Sequence, residues 1–374
     1  MKTYMFPGQG SQAKGMGGAA LFDAFAVEVA QADDVLGYSI RELCLEDPRS
    51  ELDNTQFTQP ALFVVNALSF LARRRDGHAL PDFLAGHSLG EFNALHAAGC
   101  FDFATGVRLV RKRGELMSQA SGGAMAAVVN ADPAAIEATL RENGLDRVYL
   151  ANFNTPVQIV ISGDREQVAA AQPLLQKGRV LVFPLKTSGA FHTPFMADAQ
   201  KEFEAFLEGV TFMDPAIPVV ANISALPYEA TTVAATLASQ IASPVRWAAT
   251  IAYLVGRGEA ADSMAFEEIG HGDVLTKMLR ANGVTAKVVP PAVVEAAPSV
   301  PAAAPAVAVI GKDAAGKVEA WNRQHPVGTR VVSSQTSPEP LRTRTEAILL
   351  FGHRAAVYLD GYEGYFDLDD IAVA

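Results

Sequence analysis

Only two cysteines, Cys44 and Cys100, occur in 374 residues, and neither is spaced to a second Cys or a His as a metal ligand would be. Two thiols in so long a chain read as small buried hydrophobes, not as a disulfide framework. Long apolar runs are missing too. No stretch of about 18 apolar residues occurs, and the opening Met1-Lys2-Thr3-Tyr4-Met5-Phe6-Pro7 lacks the apolar segment of a signal peptide. A cytoplasmic protein with no membrane partner is the expectation. Basic residues are the minority, 30 Lys and Arg against 41 Asp and Glu, and the net charge of −11 argues against nucleic acid, whose phosphates need a cationic surface. A local exception is Arg108, Arg111, Lys112 and Arg113, a patch able to receive a small anionic carrier.

The remaining composition is that of an ordinary globular protein with room for two or three cores. Apolar runs such as Phe63-Val64-Val65 and Phe83-Leu84-Ala85 alternate with helical periodicity, which predicts an α/β core built on a parallel sheet, over 1–122 and 189–289. Between them, 123–188 changes rhythm. Strands at 124–129, 148–151, 158–162 and 180–184, with helices opening at Asp132-Pro133 and Gly163-Asp164, give the β-α-β-β-α-β order of a ferredoxin-like subdomain. Proline and alanine then dominate 290–308, an extended linker. Beyond it, 309–374 reads as a helix at 316–323 followed by short strands at 328–332, 341–345, 347–351 and 355–359, a small β-rich module of SH3-like barrel type. Asp360-Gly361 is its hairpin turn signal, and Asp360, Glu363, Asp367, Asp369 and Asp370 read as a solvated edge.

Gly86-His87-Ser88-Leu89-Gly90 follows the apolar Phe83-Leu84-Ala85, placing one serine between two glycines where a strand turns sharply into a helix. A serine hydroxyl is a weak nucleophile at neutral pH, so such a turn requires a base and an oxyanion hole. His192 is the candidate base, because it sits at a break in the pattern just after the inserted segment. The oxyanion donors are expected to be the amide of Leu89 and one from the glycine-rich loop Phe6-Pro7-Gly8-Gln9-Gly10. That loop is no phosphate loop, since no Gly-Lys-Ser/Thr follows. Arg113 is placed by length. A helix from Ser88 climbs roughly 15 Å, the chain reverses near Gly99, and a second helix returns Arg113 to the level of the serine at about 1.5 Å per residue. A guanidinium there can grip a substrate carboxylate at a gain of roughly 1.5–3 kcal/mol, a preference of roughly 10 to 150-fold for a dicarboxylic acyl group.

With Phe-Pro-Gly-Gln-Gly-Ser-Gln at 6–12, Gly-His-Ser-Leu-Gly-Glu-Phe at 86–92, Arg113-Gly114, Asn152-Phe153-Asn154 and Ala190-Phe191-His192, residues 1–285 resemble the malonyl-CoA:acyl-carrier-protein transacylases. The Ala-Phe-His variant, Glu268-Ile269-Gly270-His271-Gly272 and the appended module look most like the free-standing acyltransferases that serve modular polyketide synthases in trans. The resemblance implies an α/β-hydrolase-like core and a ping-pong transfer of malonyl from malonyl-CoA, through Ser88, to the phosphopantetheine thiol of an acyl carrier protein, with no bound cofactor or metal. His192 would be base and then acid, a backbone carbonyl near Gln240 would orient it, and amides of Gln9 and Leu89 would hold the oxyanion. Arg113, helped by His87, would bind the malonyl carboxylate, and Phe191 would disfavour a methyl on the α-carbon. Gly189 and His271 depart from related patterns that have His and Pro there. An acyl hydrolase of the same fold and a non-catalytic docking scaffold remain as alternatives.

Overall fold

The computed structural model describes residues 1–187, 189–258, 264–284, 288–289, 314–333, 340–350, 354–360, 365–368 and 371–373. The chain divides into two units, Met1–Leu36 with Ile40–Glu295, and Gly37–Ser39 with Ala296–Ala374. Strands of the first unit are β1 (Lys2–Phe6), β2 (Phe83–Gly86), β3 (Gly123–Val129), β4 (Val148–Thr155), β5 (Gln158–Asp164), β6 (Leu181–Pro184), β7 (Val219–Val220), β8 (Ala265–Glu268) and β9 (Val288–Val289). Its helices are α1 (Gly18–Ala24), α2 (Ala26–Leu36), α3 (Ile40–Leu45), α4 (Thr55–Arg75), α5 (Gly90–Ala97), α6 (Phe103–Ser118), α7 (Pro133–Glu142), α8 (Arg165–Leu175), α9 (Ala197–Leu207), α10 (Val233–Gln240), α11 (Trp247–Val255) and α12 (Val274–Ala281).

Five strands form an all-parallel sheet in the order β7-β2-β1-β8-β9. Parallel strands covered on both faces need apolar residues at every position, and Phe83-Leu84-Ala85-Gly86 is buried throughout. One face packs Met5, Phe83, Ala85, Val220 and Phe266 against Trp247, Ile251 and Leu254 of α11 and Leu275 and Leu279 of α12. On the other, Tyr4 and Phe6 meet Phe70 of α4 edge to face. Phe63-Val64-Val65, expected in a strand, lies inside α4. That helix is buried on nearly every side, so its sequence carries no amphipathic period, and a short β-branched run inside it looks the same as a buried strand.

The segment 123–187 builds a separate antiparallel sheet of order β4-β5-β3-β6. Asp132 and Asp164 cap α7 and α8 by accepting from the Ala135 and the Glu166 and Gln167 amides. Alternation gives this sheet two different faces. Ala126, Val128, Ile159, Ile161 and Val182 pack under Ile136, Leu140, Val168 and Leu175 of the two helices. Met125, Ala127 and Val160 face the other way and line a cavity. Strand β4 runs four residues past its expected end and takes Asn152-Phe153-Asn154 into the sheet, with two register irregularities.

The second unit holds α13 (Ala314–Gln324) and six short strands, β10 (Arg330–Ser333), β11 (Leu341–Arg342), β12 (Ile348–Leu350), β13 (Arg354–Tyr358), β14 (Tyr365–Asp367) and β15 (Ile371–Val373). They pair as two three-stranded sheets, β11-β10-β15 and β12-β13-β14, around Val331, Val357 and Leu359. β14 and β15 lie where an acidic edge was expected. Each donates a strand because Tyr365-Phe366 and Ile371-Ala372-Val373 put apolar residues between the acids. The linker 290–308, Gly361, Glu363, Asp369 and Asp370 fall outside the described residues. Among the described residues no helix is long and apolar enough to cross a membrane.

The β2-α5 turn packs against the end of β1 with no space for a side chain. A Cβ on Gly90 would lie 1.9 Å from the Phe6 carbonyl oxygen, and one on Gly86 would lie 1.9 Å from the Gly90 carbonyl carbon. Both contacts are backbone to backbone, so no rotamer change relieves them. Gly90→Ala is expected to cost about 3 kcal/mol or more and to lower the thermal midpoint by several degrees, measured by calorimetry. An unchanged midpoint contradicts this close approach.

Candidate active site

Ser88 leads from β2 into α5 with φ +50°, a left-handed conformation that costs a serine energy and turns its Oγ outward. Asn222, in the loop after β7, holds this turn. Its Oδ1 accepts from the Ser88 amide at 2.7 Å and its Nδ2 donates to the Gly86 carbonyl at 2.7 Å. No sequence signal singles out Asn222, because its partners are backbone groups distant in the chain.

His192 Nε2 lies 2.8 Å from Ser88 Oγ. On the other side of the ring, Nδ1 lies 3.0 Å from the Gln240 carbonyl oxygen and 3.2 Å from that of Ser243. Two carbonyl acceptors require the proton on Nδ1, which leaves Nε2 free to accept the serine hydroxyl. His192 has φ +60° and donates its amide to the Ile241 carbonyl at 3.2 Å, so the backbone as well as the ring is fixed. Burial, then the positive Arg113, disfavour the imidazolium and push its pKa down to about 3.

Arg113 comes back along α6, which starts where Asp102 accepts from the Thr105 amide. The helical hairpin brings Nη2 to 3.2 Å from Ser88 Oγ and 2.8 Å from Gln240 Oε1, while Nη1 donates to Gln59 Oε1 at 2.8 Å. The side chain is 1 % exposed and its Nε has no partner among the described residues. Burial lowers its pKa to about 10, which leaves it cationic at neutral pH. Arg108 and Arg111 are exposed on the same helix, so the basic patch expected from the sequence splits into an exposed part and one buried guanidinium.

Gln9, Leu89, His87 and Phe191 line one cavity of ≈ 260 Å³ with Ser88, Arg113 and His192. Among the described residues neither the Gln9 nor the Leu89 amide donates to a protein acceptor, and both loops border the serine. His87 donates from Nε2 to Asn154 Oδ1 at 2.8 Å and meets Trp247 edge to face. It stands at the cavity wall and makes no hydrogen bond to Arg113 among the described residues. Phe191 is buried. A Cβ on Gly189 would lie 2.8 Å from Ala120 Cβ and 2.9 Å from the Phe191 ring, so these two side chains occupy the space that a larger residue would need there. His271 is absent from the residues lining the cavity. Both cysteines are buried and unpaired, and among the described residues no cluster of His, Cys, Asp and Glu is arranged to hold a metal.

Sequence reasoning missed three side chains besides Asn222. Gln59 sits beside Pro60 in α4 and reaches Arg113. The Gln240 side chain bridges Arg113 and the nucleophile turn, although only its carbonyl was expected to matter. Glu91 is fully buried in the first turn of α5, and burial raises its pKa to about 7.

The site predicts a pH response. With a neutral acyl donor, acylation of Ser88 is expected to keep its rate as pH falls through 6.5, the ordinary imidazole value, because His192 stays neutral. Arg113→Met removes the largest force against the imidazolium after burial, so the acid limb of the pH-rate profile should move to higher pH while staying below 6.5. A limb that stays in place or moves down contradicts the assignment.

Comparison with known proteins identifies the family. The acyl transferase domain family matches residues 3–296. The polyketide biosynthesis malonyl CoA-acyl carrier protein transacylase PksC of Bacillus subtilis is 50% identical over 281 residues, 75% of this chain and 96% of the relative. A crystal structure of malonyl CoA-acyl carrier protein transacylase from Burkholderia pseudomallei shares 59% identity at a TM-score of 0.74, covering 76% of this chain and 98% of that one. A malonyl-transacylase solved with its type II polyketide synthase acyl-carrier protein shares 34% identity at a TM-score of 0.72, covering 77% and 95%. The chain therefore belongs to the acyl transferase family, among its malonyl CoA-acyl carrier protein transacylases.

Proposed function

We propose that this enzyme takes malonyl from malonyl-CoA onto Ser88 and passes it to the phosphopantetheine thiol of an acyl carrier protein, acting in trans in polyketide biosynthesis. The observation that carries this reading is Arg113, a buried guanidinium 3.2 Å from the nucleophile whose hydrogen-bond partners among the described residues are all neutral oxygens. A buried cation without a carboxylate partner is costly, and a substrate carboxylate meets that need.

Ser88 Oγ attacks the thioester carbonyl as its proton passes to His192 Nε2. The Gln240 and Ser243 carbonyls stabilise the charge on the ring, and the Gln9 and Leu89 amides receive the oxyanion. Collapse of the tetrahedral intermediate breaks the C–S bond, and His192 returns the proton to the coenzyme A sulfur. The carrier's thiol then gives its proton to His192 and attacks the Ser88 ester, and the serine recovers the proton as it leaves. Phe191 at the cavity wall restricts the α-carbon, and His87 shapes the wall beside it. No resident cofactor or metal takes part, and a cytoplasmic location fits the sequence.

The finer fold reading belongs to the same proposal. The core, 1–122 with 189–289, is of α/β-hydrolase type, and 123–188 is a ferredoxin-like subdomain, supported by the order β4-β5-β3-β6 with both helices on one face. Residues 290–308 are a linker. Residues 309–374 are an SH3-like module, supported by six short antiparallel strands and a helix, and serve docking or stability.

Purified enzyme given malonyl-CoA and holo carrier protein is expected to yield malonyl-carrier, with near-complete loss for Ser88→Ala. Arg113→Ala should lower malonyl loading by roughly 10 to 150-fold, the worth of a charge-assisted pair, and affect acetyl loading far less. Mainly free malonate in the presence of the carrier would favour a hydrolase and defeat this reading. Deleting 309–374 should lower either the transfer rate or the thermal midpoint, and no change in either removes the role given to the module.

A further inference from the structure

Glu91 is an ionisable group that the chemistry above does not use. It is 0 % exposed and lies three residues beyond the nucleophile. Its Oε1 accepts from the Tyr228 hydroxyl at 2.5 Å and the Asn222 amide at 3.1 Å, and its Oε2 accepts from Gln240 Nε2 at 2.5 Å. Three donors from two segments, the loop after β7 and the end of α10, thus converge on one carboxylate.

We infer that Glu91 is a positioning residue for acyl selectivity: its carboxylate fixes which way round the Gln240 side-chain amide lies and so aims the Gln240 oxygen at Arg113. The inference rests on the reading that Arg113 binds the malonyl carboxylate. A carboxamide has one face that only donates and one that only accepts, and the two are nearly the same shape, so their polar partners decide the orientation. Gln240 Nε2 donates to Glu91 Oε2, which can only accept when the carboxyl is ionised, and to the Ser88 carbonyl at 2.8 Å, which uses both of its hydrogens. Its Oε1 is then left facing Arg113 Nη2 at 2.8 Å. The reverse orientation would set an oxygen against two acceptors and an NH2 against the guanidinium, leaving three contacts mismatched in a buried site.

Glu91→Gln removes this choice. The introduced carboxamide can offer its own NH2 to a reversed Gln240, whose NH2 would then point at Arg113 and displace it from the cavity wall. His192 is held by the Gln240 backbone carbonyl, and the Ser88 amide keeps its bond to Asn222 when the Gln240 side-chain amide, which also reaches the Ser88 carbonyl, turns over. The defect should therefore fall on recognition of a carboxylate-bearing acyl group. If Glu91 acted only as a distant counter-charge, its loss would leave Arg113 less neutralised and the preference for malonyl would rise.

The test measures loading of Ser88 from malonyl-CoA and acetyl-CoA by intact mass and steady-state kinetics in the full chain. Glu91→Gln is expected to lower the preference for malonyl over acetyl by about 10 to 100-fold, mainly through the malonyl-CoA KM and not kcat. Gln240→Leu, which keeps the backbone carbonyl, should lose the same preference, and the double variant should be no worse than Gln240→Leu alone. An unchanged or raised preference in Glu91→Gln, or additive effects in the double variant, overturns the inference. A uniform fall in both acyl groups would show a structural role only and overturns it equally. Should Glu91→Gln fail to fold, an unchanged preference in Gln240→Leu is sufficient to reject it. Failure of the parent enzyme to favour malonyl would instead defeat the role given to Arg113.

Discussion

A guanidinium that is 1 % exposed and hydrogen-bonded among the described residues only to neutral oxygens is the constraint around which this enzyme is arranged. Burying a charge is costly unless its donors find acceptors, and Arg113 meets that demand in part, with two glutamines and Ser88 on Nη1 and Nη2 while Nε has no partner among the described residues. Each partner comes from a different element: Gln59 from α4, Gln240 from the end of α10, Ser88 from the β2-α5 turn. The parallel sheet matters because it brings these ends together. Ser88 stands at the carboxyl end of β2, the Gln9 loop at the carboxyl end of the adjacent β1, and the helical hairpin α5-α6 returns Arg113 to the same level. Crevices at the carboxyl ends of parallel strands are where such folds bind ligands.

Gln240 joins two tasks in one residue. Its carbonyl orients His192, and its side chain connects Arg113 to the turn that carries Ser88. In the proposed roles, one residue thus serves proton transfer through its backbone and acyl recognition through its side chain, so a substitution that keeps the carbonyl separates the two. Asn222 makes the analogous connection from the other side. It stabilises a serine in a left-handed conformation through the Ser88 amide and the Gly86 carbonyl, and its own amide donates to Glu91. Close backbone approach at Gly86 and Gly90 keeps the turn tight enough for these short bonds.

Motifs confined to consecutive residues were legible in the sequence. The turn around Ser88, the Gln9 loop and the loop of His192 each carry glycines or a break in periodicity that mark them, and helix length alone placed Arg113 beside Ser88. Acids at Asp132 and Asp164 marked the starts of α7 and α8 for the same local reason. Phe63-Val64-Val65 misled because α4 is buried all round and shows no period. Asn222, Gln59, Glu91 and the Gln240 side chain were illegible because their roles exist only through partners up to 152 positions away. β14 and β15 were missed because acidic residues flank their short apolar runs in the sequence.

Chemistry at Ser88 and choice of acyl group are the two halves of the account, and one measurement reports both. Intact-protein mass spectrometry after brief exposure to an equimolar mixture of malonyl-CoA, methylmalonyl-CoA and acetyl-CoA should show a single malonyl adduct that peptide mapping assigns to Ser88. Comparable loading of acetyl or methylmalonyl, or an adduct at another residue, would contradict it.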